Sequence, residues 1–84
     1  MMNNIRVRNL PTIVNNEWDG WRDLAIPFIR NGRLSAIKTC RDRSFNGTDW
    51  PQNTMLYTDE EYSQGELLSI YLDYLREAEY TITV

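Results

Sequence analysis

Residues 58–78, TDEEYSQGELLSIYLDYLREA, form the one long stretch of this chain with clear helical periodicity. Thr58 and Glu61 have the spacing of a capping box, in which each side chain satisfies a backbone donor of the other residue. Gly65 costs about 1 kcal/mol relative to Ala inside a helix, so a start after Gly65 is the alternative. Apolar residues recur with the spacing of one buried stripe: Leu67, Leu68, Tyr71, Leu75 and Ala78, widened by Leu72 and Tyr74. The stretch therefore predicts a long amphipathic C-terminal helix.

The same helix is expected to carry an acidic side. At about 100° per residue, four carboxylates fall opposite the apolar stripe: Asp59, Glu66, Asp73 and Glu77. Along the helix axis, neighbouring carboxylates of Glu66, Asp73 and Glu77 lie about 6 to 10 Å apart, a spacing comparable with that of a nucleic-acid backbone. Tyr62 and Ile70 border the stripe and would anchor a contact, because a few apolar and aromatic side chains dominate interface energies. These six residues form the predicted partner-binding surface for a basic groove, with a merely solvated face as the alternative.

Length and composition limit the class of protein. Eighty-four residues are enough for one domain, spanning 1–84, and a hydrophobic content of 42% is too high for a disordered chain. The single cysteine, Cys40, excludes an intramolecular disulfide. No apolar run resembles a signal peptide or a membrane span, so we expect a cytoplasmic protein in a reducing compartment.

Charge is distributed unevenly along the chain. Residues 1–44 hold eight Arg or Lys against four acids, whereas residues 45–84 hold eight acids against Arg76 alone. The net charge of −3 therefore conceals a basic half and an acidic half. If the halves occupy different parts of the fold, the protein is a strong electrostatic dipole; if strands and helix interleave, the charges largely cancel.

The N-terminal half mixes strand and helix signals. Residues 4–8 alternate apolar and basic side chains, as a half-buried strand does, and residues 12–14 extend beyond Pro11. Residues 17–25 have helical spacing of Trp18, Trp21 and Leu24, although Gly20 weakens a helix there. The sequence thus predicts a first strand and a short first helix.

Residues 26–40 allow two interpretations. Asn31-Gly32 between apolar runs favours a hairpin, because both central positions of a type I′ turn need positive φ. That hairpin would pair Ile29 with Leu34 and Ile26 with Ile37. The alternative makes Gly32 a helix C-cap and Ser35 the N-cap of a second short helix.

The remaining segments complete the predicted fold. Residues 41–57 are rich in turn residues and predict a long functional loop that ends in a short strand at 55–57. Residues 80–84 alternate cleanly and predict a strand that pairs with the other terminal strand. We expect an α+β fold in which a small antiparallel sheet of about four strands packs on one long C-terminal helix. Its element order resembles the ferredoxin-like βαββαβ arrangement, in which the last strand lies beside the first.

Catalytic and metal-binding patterns are weak. The chain has no histidine, and Cys40 therefore has no histidine to activate it, although Arg41 and Arg43 could lower its pKa. Five residues echo a calcium loop, but its final glutamate is replaced by Asn53: Asp42, Ser44, Asn46, Gly47 and Thr48. The sequence predicts no enzyme, no cofactor and no metal.

Two binding functions follow from the charges. The leading hypothesis is a non-enzymatic protein-binding inhibitor or adaptor that presents its acidic helix to a basic partner. Its small, acidic and aromatic-rich character looks like that of phage or plasmid inhibitors such as anti-restriction or anti-CRISPR proteins. The spacing of its carboxylates would make it a nucleic-acid mimic. The alternative is a nucleic-acid-binding module, with Trp18, Trp21 and Phe28 as stacking groups. It would use the basic cluster Arg30, Arg33, Lys38, Arg41 and Arg43.

Overall fold

A computed structural model describes residues 10–16, 20–43 and 52–82 of the chain, and all structural statements refer to them. These residues form five strands and one helix. In chain order they are β1 (Thr12–Asn16), β2 (Trp21–Arg30), β3 (Arg33–Arg43), β4 (Gln52–Thr58), α1 (Gln64–Arg76) and β5 (Tyr80–Ile82). The strands make one antiparallel sheet in the order β4-β3-β2-β1-β5.

The predicted fold class is wrong. Strands dominate the structure: the sheet has five of them rather than about four, and the helix is a short one of 13 residues. In the described residues four consecutive strands precede the helix, which gives the order ββββαβ and not the ferredoxin-like βαββαβ. β5 lies beside β1 (12–16), and residues 21–25 of the predicted first helix belong to β2.

Strand pairing overrides the helical spacing of residues 17–25. β2 begins at Trp21, directly after Gly20, which has a φ of 80°. Residues 22–25 then pair with β1 on one side and β3 on the other, so their backbone groups are satisfied in the sheet. The predicted strand at 4–8, residues 17–19, and the end of the terminal strand at 83–84 lie outside the described residues.

The hairpin prediction is confirmed in its turn and corrected in its register. Asn31 and Gly32 have φ values of 54° and 72°, as a type I′ turn requires, and Ile29 pairs with Leu34. A bulge then shifts the ladder by one residue, so Ile26 pairs with Lys38 rather than with Ile37. Ser35 is the extra residue of this bulge, and its hydroxyl donates to the carbonyl of Phe28 (3.1 Å).

The bulge decides which side chains face the helix. Without it, Leu34 and Ile37 would point to opposite faces of β3, because side chains alternate along a strand. With one extra residue between them, both are fully buried in the same cluster. That cluster joins three strands to the helix: Ile13, Ala25, Leu34, Ile37, Leu67 and Tyr71.

Both ends of the predicted long loop at 41–57 belong to strands. β3 continues as far as Arg43, and β4 begins at Gln52 and includes the predicted strand at 55–57. Thr58 is the last residue of β4 and pairs with Ala36, so it does not cap the helix. Ser63 takes that role: its hydroxyl accepts from the Glu66 N–H (3.1 Å), and the Glu66 carboxylate accepts from the Ser63 N–H (2.9 Å).

The helix is rotated relative to the predicted stripe. Leu67 and Tyr71 are buried as expected, and Leu68, Tyr74 and Ala78 pack against the core. Leu72 and Leu75, however, are 50% and 38% exposed. Ile70, which was predicted at the border of the stripe, packs against the core instead.

Side-chain bonds to the backbone hold both ends of the helix on the sheet. At the start of α1, the Gln64 amide donates to the Leu34 carbonyl (2.6 Å) and accepts from the Leu34 N–H (3.0 Å). Further along, the buried Tyr71 hydroxyl donates to the Pro11 carbonyl (2.6 Å). Beyond the helix, Glu79 accepts from the Asn16 N–H (3.0 Å) and its own N–H donates to Val14 (3.1 Å). The core and these bonds fix α1 across the sheet.

The amide of Gln64 yields a stability prediction. Gln64→Glu should lower the free energy of unfolding by about 1–3 kcal/mol, because a carboxylate oxygen would replace the donor to the Leu34 carbonyl. Gln52→Glu adds the same charge at an exposed site on β4 and should leave stability nearly unchanged. Urea denaturation of both variants at pH 7 measures the difference. Equal stabilities would contradict the role of Gln64 as the clamp on β3.

Candidate protein-binding surface

One flank of α1 brings together part of the predicted partner-binding set. Ile70, Asp73 and Glu77 line a shallow depression together with Tyr74 and Arg76. Ile70 and Tyr74 form its half-buried floor, and the two carboxylates are exposed at its rim. The depression therefore combines an apolar base with negative charge, which are the two components that the sequence hypothesis required.

The carboxylates of this flank are free to change partners. Asp73 forms an ion pair with Arg76 one turn later, but both side chains are largely exposed, at 64% and 75%. An exposed pair of this kind contributes about 0–1 kcal/mol, so a cation from another molecule can displace Arg76 at little cost. Glu77 is the C-cap residue, and its backbone N–H donates to Tyr74 while its side chain is exposed.

The other three predicted contact residues lie towards the start of the helix. Asp59 is exposed in the turn after β4, and its N–H donates to the Ser35 carbonyl (3.0 Å). Tyr62 is half-buried, with its ring edge-on to Tyr57 at a centroid distance of 5.7 Å. Glu66 belongs to the capping box, and its bonds with the Ser63 N–H and hydroxyl hold the pKa of the carboxyl below its usual value. The predicted set thus separates into a flank group and a turn group.

The basic cluster of the alternative hypothesis is divided between the two faces of the sheet. Arg30 and Arg33 are paired across the hairpin tip and are exposed, and Arg33 faces away from the helix because its neighbour Leu34 faces the helix. Lys38 lies on the sheet face away from the helix, since its neighbours Ile37 and Thr39 face the helix side. Arg41 lies on the helix side and forms an ion pair with Asp23 (2.6 Å). The side chain of Arg43 is outside the described part of the structure.

Two cross-strand ion pairs were missed by the sequence interpretation. Arg22 binds Asp42 (2.7 and 3.2 Å) on one face of the sheet, and Arg41 binds Asp23 (2.6 and 3.0 Å) on the other. Both pairs join directly opposed residues of β2 and β3. The hairpin turn is visible in the sequence, and these two ion pairs follow from it once the one-residue shift at the bulge is included.

These pairs decide how far the two charged halves cancel. In each pair, both the acid and the base come from residues 1–44, the basic half of the chain. In the described residues, Arg76 is the one ion-pair partner of the exposed acids that follow β4: Asp59, Glu60, Glu61, Glu66, Asp73, Glu77 and Glu79. The helix side of the molecule therefore keeps its negative charge, and the acidic turn at 59–61 comes closest to the basic hairpin through the bond between Asp59 and Ser35.

Cys40 has the environment of a core residue. It is 7% exposed, and burial raises the pKa of its thiol. Arg41, which was expected to lower that pKa, points to the other face of β3 and is bound to Asp23. A nucleophilic cysteine needs a lowered pKa and access, and Cys40 has neither.

The calcium-loop pattern gains no ligand set from the structure. Asp42, its first position, is engaged by Arg22 in a two-point ion pair. Residues 44–51 lie outside the described part, and the residues within it contain no group of three His, Cys, Asp or Glu side chains placed to hold a metal ion.

Comparison with known proteins adds no relative. No protein-family model, curated protein or solved structure matches this chain. Within the described residues, α1 is too short and too polar to cross a membrane. Any assignment of function therefore depends on the surface itself.

The burial of Cys40 leads to a prediction about reactivity. In the native protein at pH 7, alkylation by iodoacetamide should be at least about a hundredfold slower than in urea, because the thiol must be exposed by opening of the fold. Ser69→Cys in a Cys40→Ala background places a thiol on the exposed side of α1 and should react at an ordinary rate. Because the pKa of Cys40 is raised, its native rate should still be rising above pH 8.5–9. Fast native labelling at pH 7 would show that Cys40 is accessible and reopen a chemical role.

Proposed function

We propose that this protein is a non-enzymatic binding module, a small inhibitor or adaptor that engages a basic surface of another protein through α1. The observation that supports this function is the depression on the helix flank, where exposed Asp73 and Glu77 stand beside Ile70 and Tyr74. Carboxylates at the rim attract and orient Arg or Lys side chains, and the apolar floor supplies the area that excludes water.

The charge layout favours a basic partner over an acidic one. The acids after β4 have Arg76 as their one cationic neighbour among the described ion pairs, so a negative potential extends from this side. Such a field speeds encounter with a positively charged groove and repels nucleic acid. The turn group lies towards the start of the helix, so the proposed contact is centred on the flank group.

Nucleic-acid binding by the basic half has weaker support. Arg33 and Lys38 share the sheet face away from the helix, but Arg41 lies on the opposite face and is already paired with Asp23. A backbone-tracking site needs cations along one continuous groove. Nucleic-acid binding is therefore one of the results that the following experiment can distinguish.

Charge reversal on the flank tests the proposed function. Asp73→Lys with Glu77→Lys should reduce recovery of the partner at least about tenfold in affinity purification from the native host, since close charge pairs in interfaces contribute 1.5 kcal/mol or more. Glu60→Lys with Glu61→Lys is the matched control, with the same change of charge in the exposed turn. Glu66 is left unchanged, because it caps the helix. Thermal melts confirm that each variant folds.

The salt dependence and an oligonucleotide titration complete this test. Recovery of the partner by the wild-type protein should fall as salt rises from 50 to about 500 mM, because rim charges act through a screened attraction. Binding of 20-nucleotide single- or double-stranded DNA that is lost on changing Arg30 and Arg33 to Glu, but unaffected by the flank variant, would favour the alternative. Equal recovery of the same proteins by wild type and flank variant would reject the proposed surface.

A further inference from the structure

β4 is an edge strand with the features of a pairing surface. It has β3 on one side, and it is the terminal strand of the sheet that the described residues form. Its seven residues, QNTMLYT, include no charged side chain, although a quarter of the chain is charged. Met55 and Leu56, on opposite faces of the strand, are each 55% exposed.

The backbone groups of β4 that point away from β3 can be identified. The Asp59 N–H donates to Ser35 on β3, so residues at steps of two from Asp59 also direct their backbone groups towards β3. Tyr57 and Met55 are therefore bonded inwards. Thr54 and Leu56 direct their N–H and C=O groups outwards, where a further strand would find them.

β4 has few of the devices that keep edge strands apart. Proteins protect an exposed edge with Lys, with an inward-pointing charge, with proline, with a β-bulge or by making the strand very short. β5, the opposite edge of the described sheet, has three described residues. β4 has seven, and the register shift in its pairing with β3 lies between Gln52 and Met55, where Asn53 has a φ of 55°. The shift falls at the beginning of the strand and leaves 55–58 in regular register.

We propose that β4 is the site at which a second copy of this chain binds, with the two β4 strands antiparallel and the two-fold axis at Met55. An uncharged strand is suited to pairing with itself, because no like charges are brought opposite each other. A two-fold interface also repeats every favourable contact, so a short strand contributes twice.

The register follows from which outward groups are available. The Thr58 carbonyl already accepts from the N–H groups of Glu61 and Tyr62, so a register that pairs Thr58 with Thr54 of the second copy would lack an acceptor. A register centred on Thr54 would involve the irregular backbone around Asn53. Centring on Met55 pairs Thr54 with Leu56 of the second copy, and both residues have outward N–H and C=O groups.

This pairing has definite consequences. It joins two five-stranded sheets into one of ten strands and gives both β4 strands a partner on each side. Met55 lies directly opposite Met55 of the second copy on the helix face, and the exposed Leu56 is covered on the other face. The contact is a single strand edge, smaller than the roughly 1,200–2,000 Å² of stable interfaces, so the dimer should dissociate on dilution.

Charge swapping at Met55 tests both the surface and the register. Sedimentation velocity of the wild-type protein from about 10 µM to about 1 mM should show a monomer–dimer equilibrium. Met55→Lys and Met55→Glu should each weaken dimerisation at least about tenfold, because like charges then face each other across the axis. An equimolar mixture of the two variants should restore it, since Lys then faces Glu. Leu72→Lys adds the same charge at a similarly exposed site on α1 and should have no effect.

Each outcome of this experiment either supports or overturns the proposed dimer. A wild-type protein that stays monomeric at 1 mM, or a dimer that Met55→Lys leaves intact, overturns the proposal. A dimer that both variants weaken but the mixture fails to restore overturns the register centred on Met55. Thermal melts of all variants at low concentration exclude unfolding as the cause, because Met55 lies outside the buried core.

Discussion

The register of the β2–β3 hairpin is the constraint on which the rest of the structure depends. The Asn31-Gly32 turn sets the first pairs, and the single extra residue at Ser35 then shifts every later pair by one. That shift places Leu34 and Ile37 on the same face, where the helix is buried against them. Without the bulge, one of the two would point away from the helix, and the small core would lose a full side chain. For a domain of 84 residues, whose core is near the lower limit of size, such a loss is large.

The helix position follows from the same stretch of β3. Gln64, at the first turn of α1, bonds both backbone groups of Leu34, and Asp59, just before it, bonds the carbonyl of Ser35. The helix is therefore held at the bulge before its apolar side is considered. Tyr57, on β4, and Thr39, on β3, lie next to Tyr74, so the buried side of α1 turns towards β4. This rotation exposes Leu72 and Leu75 and makes the acidic residues a flank beside the sheet instead of the side opposite to it.

Local signals predicted only part of this arrangement. The turn at Asn31-Gly32, the strand at 55–57 and the burial of Leu67 and Tyr71 follow from patterns within a few residues, and the structure confirms them. The predicted helix start at Thr58 is wrong, because residues 63–66 also match the capping pattern found at 58–61. Only the pairing of Thr58 with Ala36 decides between the two. The short first helix was predicted because Trp18, Trp21 and Leu24 have helical spacing. Pairing on both sides of residues 22–25 overrides that spacing, and pairing is a property of residues distant in sequence.

The candidate site shows the same division between local and distant information. The acidic residues of the flank are visible in the sequence, but the sheet determines which cations are near enough to neutralise them. No Lys or Arg occurs between residues 44 and 75, so among the described residues the cations other than Arg76 that could neutralise these acids lie in β2 and β3. There, Arg22 and Arg41 are held by Asp42 and Asp23, which the hairpin register places directly opposite them. The pairing that builds the sheet therefore also withholds these two cations from the helix. The negative charge on α1 is a consequence of the topology, and a partner that supplies cations would complete what the fold leaves open.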